Sequence, residues 1–204
     1  MSLEHVLRDP RLWRYGREAP APAETIPTGH AVLDALLPGG GWPRGALTEV
    51  LSEAEGIGAL RLILPALARL SRFPQWLAWI APPHLPYAPA LAARGLDLRR
   101  VLIVTDCDHS QSLWAMEQSL RAGACSAVLG WPRGLDDRGL RRLQLAAETG
   151  RCWGLVFRPL TAARAASPAA LRLALEPHGP RLAVRIIKCR GGVEARSVCL
   201  DLGD

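Results

Sequence analysis

The sequence predicts an α/β protein, with a mostly parallel sheet flanked by helices and closed by antiparallel strands near its C-terminal end. Three observations carry this expectation. Apolar runs of strand length, such as Gln75 to Ala81 (QWLAWIA), Val101 to Thr105 (VLIVT), Ala124 to Trp131 (ACSAVLGW) and Cys152 to Phe157 (CWGLVF), are continuous rather than alternating, as in strands buried on both faces. Between them, apolar residues recur at helical spacing: Leu60, Ile63, Leu64 and Leu67, then Leu113, Met116 and Leu120, then Leu140, Leu143 and Ala147. Strands that alternate with helices imply crossover connections and a parallel sheet. The last third changes character, because Ala169 to Leu175 and Arg181 to Lys188 read as strands and Arg190 to Glu194 (RGGVE) supplies a Gly-Gly turn into Ala195 to Leu202.

The centre of the chain is Gly45 to Leu70. Ala46 to Leu51 is expected as a strand, Ser52 to Gly58 as a glycine-punctuated loop, and the segment from Leu60 as a helix. This is the outline of a phosphate-binding loop. A working loop reads GxxxxGK followed by Ser or Thr, with backbone amides around the phosphates, the lysine on the outer phosphates and the hydroxyl on Mg²⁺. Here the run is SEAEGIGAL, so Gly56 is kept while Gly58 and Ala59 stand in place of the lysine and the hydroxyl. Glu53 and Glu55 add negative charge where phosphates would sit, which costs on the order of 1 kcal/mol per close pair in water. The only lysine in the chain is Lys188, so none nearby can substitute. No cofactor is expected.

Composition bounds the function further. Hydrophobic residues make up 49% and charged residues 22%, which is globular rather than disordered, and the length suits one domain. No apolar run has the length of a membrane span and the first residues lack a signal-peptide core, so a cytoplasmic protein is expected. The five cysteines and five histidines show no metal-ligand spacing. A net charge of +6 suggests an acidic partner or weak DNA contact.

Three stretches follow from composition shifts. Residues 1–17 carry apolar and arginine positions at helical spacing, divided by Pro10, and are expected to be an interaction segment with Leu12 and Trp13 as its anchors. Residues 18–27, rich in proline and alanine, read as a semi-extended linker. Residues 28–204 form the core domain, opening with a short helix at Ala31 to Leu37 and a Pro-Gly-Gly-Gly turn.

The phrase IPTGHAVLDALLPGGGWPRGALTEV resembles the approach to the phosphate loop in the RecA/SulA superfamily, and WPRGALTE followed by GIGAL, with LWR at Leu12 to Arg14, resembles the ImuA family within it. The resemblance implies a RecA-like core with a degenerate loop. It implies a non-catalytic accessory role in damage-inducible mutagenic DNA synthesis. The partners implied are an ImuB-type inactive Y-family polymerase, RecA and an error-prone replicative-type polymerase. The water-activating acid of such cores falls near Pro83 and the Mg²⁺-organising aspartate on or beside Trp131, and neither position offers a carboxylate. Asp106, at the end of VLIVTD, is a rival metal position that chain order disfavours. In the last hairpin, Lys188 and Arg190 stand where RecA lysines reach the neighbouring subunit, or else are solvated charges on an edge strand. Arg138, Arg141 and Arg142 form a basic stripe, and Arg158 to Pro168 is shorter than a DNA-binding loop.

Two other functions stay open. One is a SulA-like inhibitor of cell division in the damage response, which binding to the division protein FtsZ would favour. The other is an ATP-dependent recombinase-like protein, which Gly58 and Ala59 oppose.

Overall fold

The computed structural model describes residues 24–192 and 195–203. Its main body is an eight-stranded mixed sheet. The central strand is β3 (Leu47–Ser52), and β4 (Trp76–Ile80), β5 (Val101–Val104), β6 (Cys125–Gly130) and β7 (Trp153–Pro159) follow it in the chain. The last three strands are β8 (Leu171–His178), β9 (Arg181–Cys189) and β10 (Ser197–Leu200). Spatially the order is β10-β9-β8-β3-β7-β6-β4-β5. Strands β3 to β8 are mutually parallel where they pair, and β9 runs antiparallel to both β8 and β10.

β3 lies between β7 and β8 and is buried from Leu47 to Leu51, which explains its unbroken apolar character. Its buried polar residues each find a partner: Thr48 accepts the indole N–H of Trp153 at 3.1 Å, and Glu49 takes part in a buried ion cluster. The helices are α1 (Ala31–Asp34), α2 (Ala59–Leu70), α3 (Ala88–Ala93), α4 (His109–Arg121) and α5 (Asp137–Gly150).

Two cores lie on the two faces. On one, α2 packs with Trp42, Leu77, Trp79, Leu129, Trp153 and Leu155. On the other, Met116 and Leu120 of α4 and Leu140, Leu143 and Ala147 of α5 cover Ala78, Val128 and Val156. The expected face of α2, Leu60 to Leu67, is too narrow, because Leu62 and Ala66 are also buried. Only Arg61, Pro65 and Arg69 stay exposed along it, since the segment 26–37 lies against the helix; Gly29 sits so close to Pro65 that a Cβ there would come within 2.4 Å of the ring.

Local rules set the helix ends. Asp108 caps α4 in a capping box with Gln111, and Asp136 caps α5 by accepting the Gly139 N–H at 2.7 Å. The α4–α5 approach depends on Gly150, where a Cβ would come within 2.0 Å of the Leu120 carbonyl oxygen.

Three expectations change. The helix from Ala31 ends at Asp34 rather than Leu37, because Pro38 holds Leu37 in an extended conformation (φ −94°, ψ 137°). The end of the Pro/Ala linker belongs to the folded body: β1 (Thr25–Ile26) pairs antiparallel with β2 (Trp42–Pro43), and Ile26 is buried. Finally, β9 is an interior strand, so Lys188 is not on an edge. The interaction segment at residues 1–17, with Leu12 and Trp13, lies outside the described residues.

Candidate functional site

The degenerate loop occupies the carboxyl end of β3 and leads into α2. Gly58 is the N-cap of that helix with φ 103°, a backbone conformation closed to other residues without strain, and Gly56 has φ 78°. Ala59 opens α2. A lysine at Gly58 would be strained, and its Cβ would also lie 3.3 Å from Leu202 Cδ1. The segment around Leu202 crosses here, and Arg61 fastens it by donating to the Gly203 carbonyl at 2.9 Å. On the other side, His84 Nε2 meets Glu55 Oε2 at 3.1 Å. Apolar chain therefore stands beside the helix terminus that a phosphate would use.

Aromatic rings fill the neighbouring strand ends. Trp131 stacks on Phe157 with centroids 4.5 Å apart and planes 6° apart, and tilts against Trp79 at 6.2 Å. Asp106 is exposed, has φ 56° and accepts from its neighbour Thr105. Among the described residues no three His, Cys, Asp or Glu gather as a metal group.

Lys188 is drawn into the fold, whereas Arg190 stays exposed. Lys188 Nζ donates to the Ser167 carbonyl at 2.6 Å, within a cluster centred on the fully buried Glu49. That carboxylate accepts from the Ser167 hydroxyl, from Arg172 Nε at 3.1 Å and from Arg158 Nη1 at 3.5 Å. Arg172 also donates to the Ala162 and Ala165 carbonyls at 2.8 and 2.9 Å. The cluster straps residues 160–169 onto the sheet, so Lys188 has a structural use. Arg190 lies on the surface near Glu148, at 3.7 Å. In the basic stripe, Arg141 pairs with Asp137 at 2.8 Å and Arg142 pairs with Glu117, while Arg138 is exposed.

The surface that sequence reasoning missed is a corner at the amino ends of β4 and β5. Ser71, just after α2, donates to the Ala68 carbonyl at 2.8 Å and accepts the Asp97 N–H at 3.0 Å. Arg100 Nη1 reaches the Pro74 carbonyl at 3.0 Å. These bonds bring the segments 69–76 and 97–102 together. The corner exposes Phe73 (53%), Trp76 (42%), Leu98 and Leu102 among Arg69, Arg72 and Arg99. Its one carboxylate, Asp97, is already engaged by Arg99 Nε at 3.0 Å and Nη2 at 2.9 Å, and that guanidinium holds the Asp97 carboxyl below the usual carboxylate range. A signal was present in the sequence, since Asp97 is the only acidic residue from Gly56 to Thr105, against six arginines.

Fold and loop define a mixed-sheet α/β protein with the outline of a phosphate loop and no lysine in it. Residues 45–154 match the family described as "Cell division inhibitor SulA". The chain belongs to that family. A cell division inhibitor SulA of Yersinia pestis is 35% identical over 117 residues, spanning 57% of this chain and 69% of the relative, and one of Yersinia pseudotuberculosis matches equally. The crystal structure of SulA from Pseudomonas aeruginosa is 30% identical, covers 55% of this chain and 97% of that one, and has a TM-score of 0.47.

Family membership corrects the resemblance. The chain is a SulA-family protein rather than an ImuA-like one, and the sheet with its helices is assigned to SulA rather than to a RecA-like core. With that correction go the ImuB-type polymerase, RecA and the error-prone polymerase as partners, and mutagenic synthesis as the role. Local packing accounts for part of the phrase that misled. Thr28 and Asp34 close a turn through the Thr28 N–H at 2.9 Å, and Gly41 lies where a Cβ would be 2.3 Å from the Ile26 carbonyl oxygen. Among the described residues no helix is long and apolar enough to cross a membrane.

Proposed function

We propose that this chain is a SulA-like inhibitor of cell division in the DNA-damage response, a cytoplasmic protein that acts by binding the division protein FtsZ and catalyses no reaction. The observation that carries the reading is the corner of exposed aromatic and arginine side chains, which lies within the stretch that matches the SulA family. Aromatic and arginine residues dominate the energetics of protein interfaces, and a cationic rim speeds encounter with an acidic partner. The loop at Gly56, Gly58 and Ala59 serves as a helix start and not as a nucleotide cradle.

Sedimentation of FtsZ polymers with and without this protein tests the reading. Wild-type protein is expected to reduce polymer in a dose-dependent way. Phe73→Ala should weaken FtsZ binding by on the order of 2 kcal/mol, roughly thirtyfold, and Arg72→Glu should slow association, both with the melting temperature nearly unchanged. Failure of the wild-type protein to bind FtsZ would overturn the proposal.

A further inference from the structure

The arginine corner continues into a sheet edge. β5 pairs with β4 on one side and, among the described residues, with no strand on the other. Edge strands are commonly blunted by proline, lysine, a bulge or an inward charge. The run Val101-Leu102-Ile103-Val104 carries no proline and no charge, and its register with β4 is regular. Leu102 is 46% exposed on one face of the strand. The Val104 carbonyl accepts the Ala81 N–H at 2.8 Å, so Val104 points its backbone groups towards β4. Backbone direction alternates along a strand, so the Ile103 N–H and the Val101 and Ile103 carbonyls point outward, while the Val101 N–H donates to the Leu98 carbonyl.

We propose that β5 takes an extended acidic segment of the partner as a ninth strand. The proposal rests on the FtsZ reading and adds the mode of docking and the chemistry of the docked segment. Main-chain hydrogen bonds to Val101 and Ile103 supply the register, an apolar side chain covers Leu102, and carboxylates meet Arg72, Arg99 and Arg100 at the amino end of the strand. A second copy of this chain fits less well. The acids next to its own β5 are Asp97, Asp106 and Asp108, and all are engaged, Asp97 by Arg99, Asp106 by the Thr105 hydroxyl and Asp108 by the Gln111 N–H and the Ser110 hydroxyl. DNA would satisfy the arginines and accept from an outward N–H, but its backbone has no donor for the outward carbonyls.

Amide hydrogen exchange on the full chain, free and with saturating FtsZ, separates the outcomes. The Ile103 amide should exchange quickly in the free protein and slow at least tenfold in the complex, while the Val101, Leu102 and Val104 amides change little. Leu102→Lys should weaken FtsZ binding about tenfold with the melting temperature unchanged. FtsZ binding that leaves the Ile103 amide unprotected overturns strand addition and keeps the division-inhibitor reading, whereas absence of FtsZ binding removes both. A dimer that Leu102→Lys dissociates, or displacement of FtsZ by an equimolar thymidine oligonucleotide, would also overturn it, by showing that the edge serves a second copy or that the corner is an unspecific anion surface.

Discussion

Glu49 is the residue on which most of the interior electrostatics converge. A fully buried carboxylate is tolerable only when its lone pairs are taken, and here two arginines and a hydroxyl take them. Glu49→Ala would leave Arg172, itself 4% exposed, without its counter-ion, at a cost of about 3–5 kcal/mol by chemical denaturation. Ser167→Ala should cost less, about 1–2 kcal/mol, since two hydrogen bonds of the hydroxyl are lost, to Glu49 and from the Ala169 N–H, and the ion pair stays. Gly150 is limited by space. Its hypothetical Cβ would collide with backbone and not with a movable side chain, so Gly150→Ala should destabilise by about 1–3 kcal/mol despite alanine's better helix propensity. A neutral or stabilising result would show that α4 and α5 can separate at little cost.

Among the elements, α4 offers a titration test. The Gln111 N–H and the Ser110 hydroxyl hold the Asp108 carboxyl below the usual carboxylate range. The folded pKa is depressed, so the stabilisation is complete above the unfolded value, about 4, and is lost as pH falls through the folded one. The melting temperature should therefore owe nothing to this group's titration between pH 5 and 7 and should drop below about pH 4. Asp108→Asn keeps a capping oxygen without the charge, so it should flatten that acid limb and lower neutral-pH stability by the part that the charge supplies. An unchanged acid limb in Asp108→Asn would assign the drop to other carboxylates. The loop before α2 gives a second test. A ligand at a hundred times its dissociation constant would raise stability by about 2.7 kcal/mol, so Mg-ATP should leave the melting curve in place. A shift abolished by Leu202→Ala would mean that nucleotide enters beside the C-terminal segment after all.

At the scale of the whole molecule, the strands were legible because burial on both faces writes itself as apolar runs, as at Leu77 to Ile80 and Ala127 to Leu129. Their neighbours were not legible. Nothing in VLIVT says that β5 lies at an edge, and nothing in RIIKC says that β9 is interior with Lys188 turned to Ser167, 21 residues away in the chain. The corner was hidden for the same reason, since the segments that carry Arg72 and Arg99 are joined by the bonds from Asp97 to Ser71 and from Arg100 to Pro74. The family was misassigned from short phrases, part of whose content Thr28, Asp34 and Gly41 owe to local packing. The carboxylate in β3 has one more consequence, and it concerns time. Glu49 leaves the ribosome more than a hundred residues before Arg158, Ser167 and Arg172, its partners at sequence separations of 109, 118 and 123. Until those residues emerge, the central strand of the sheet can be flanked on neither side and its charge cannot be neutralised in place. The nascent chain must therefore wait for most of its length before its core closes, exposing apolar strands to chaperones and proteases throughout synthesis.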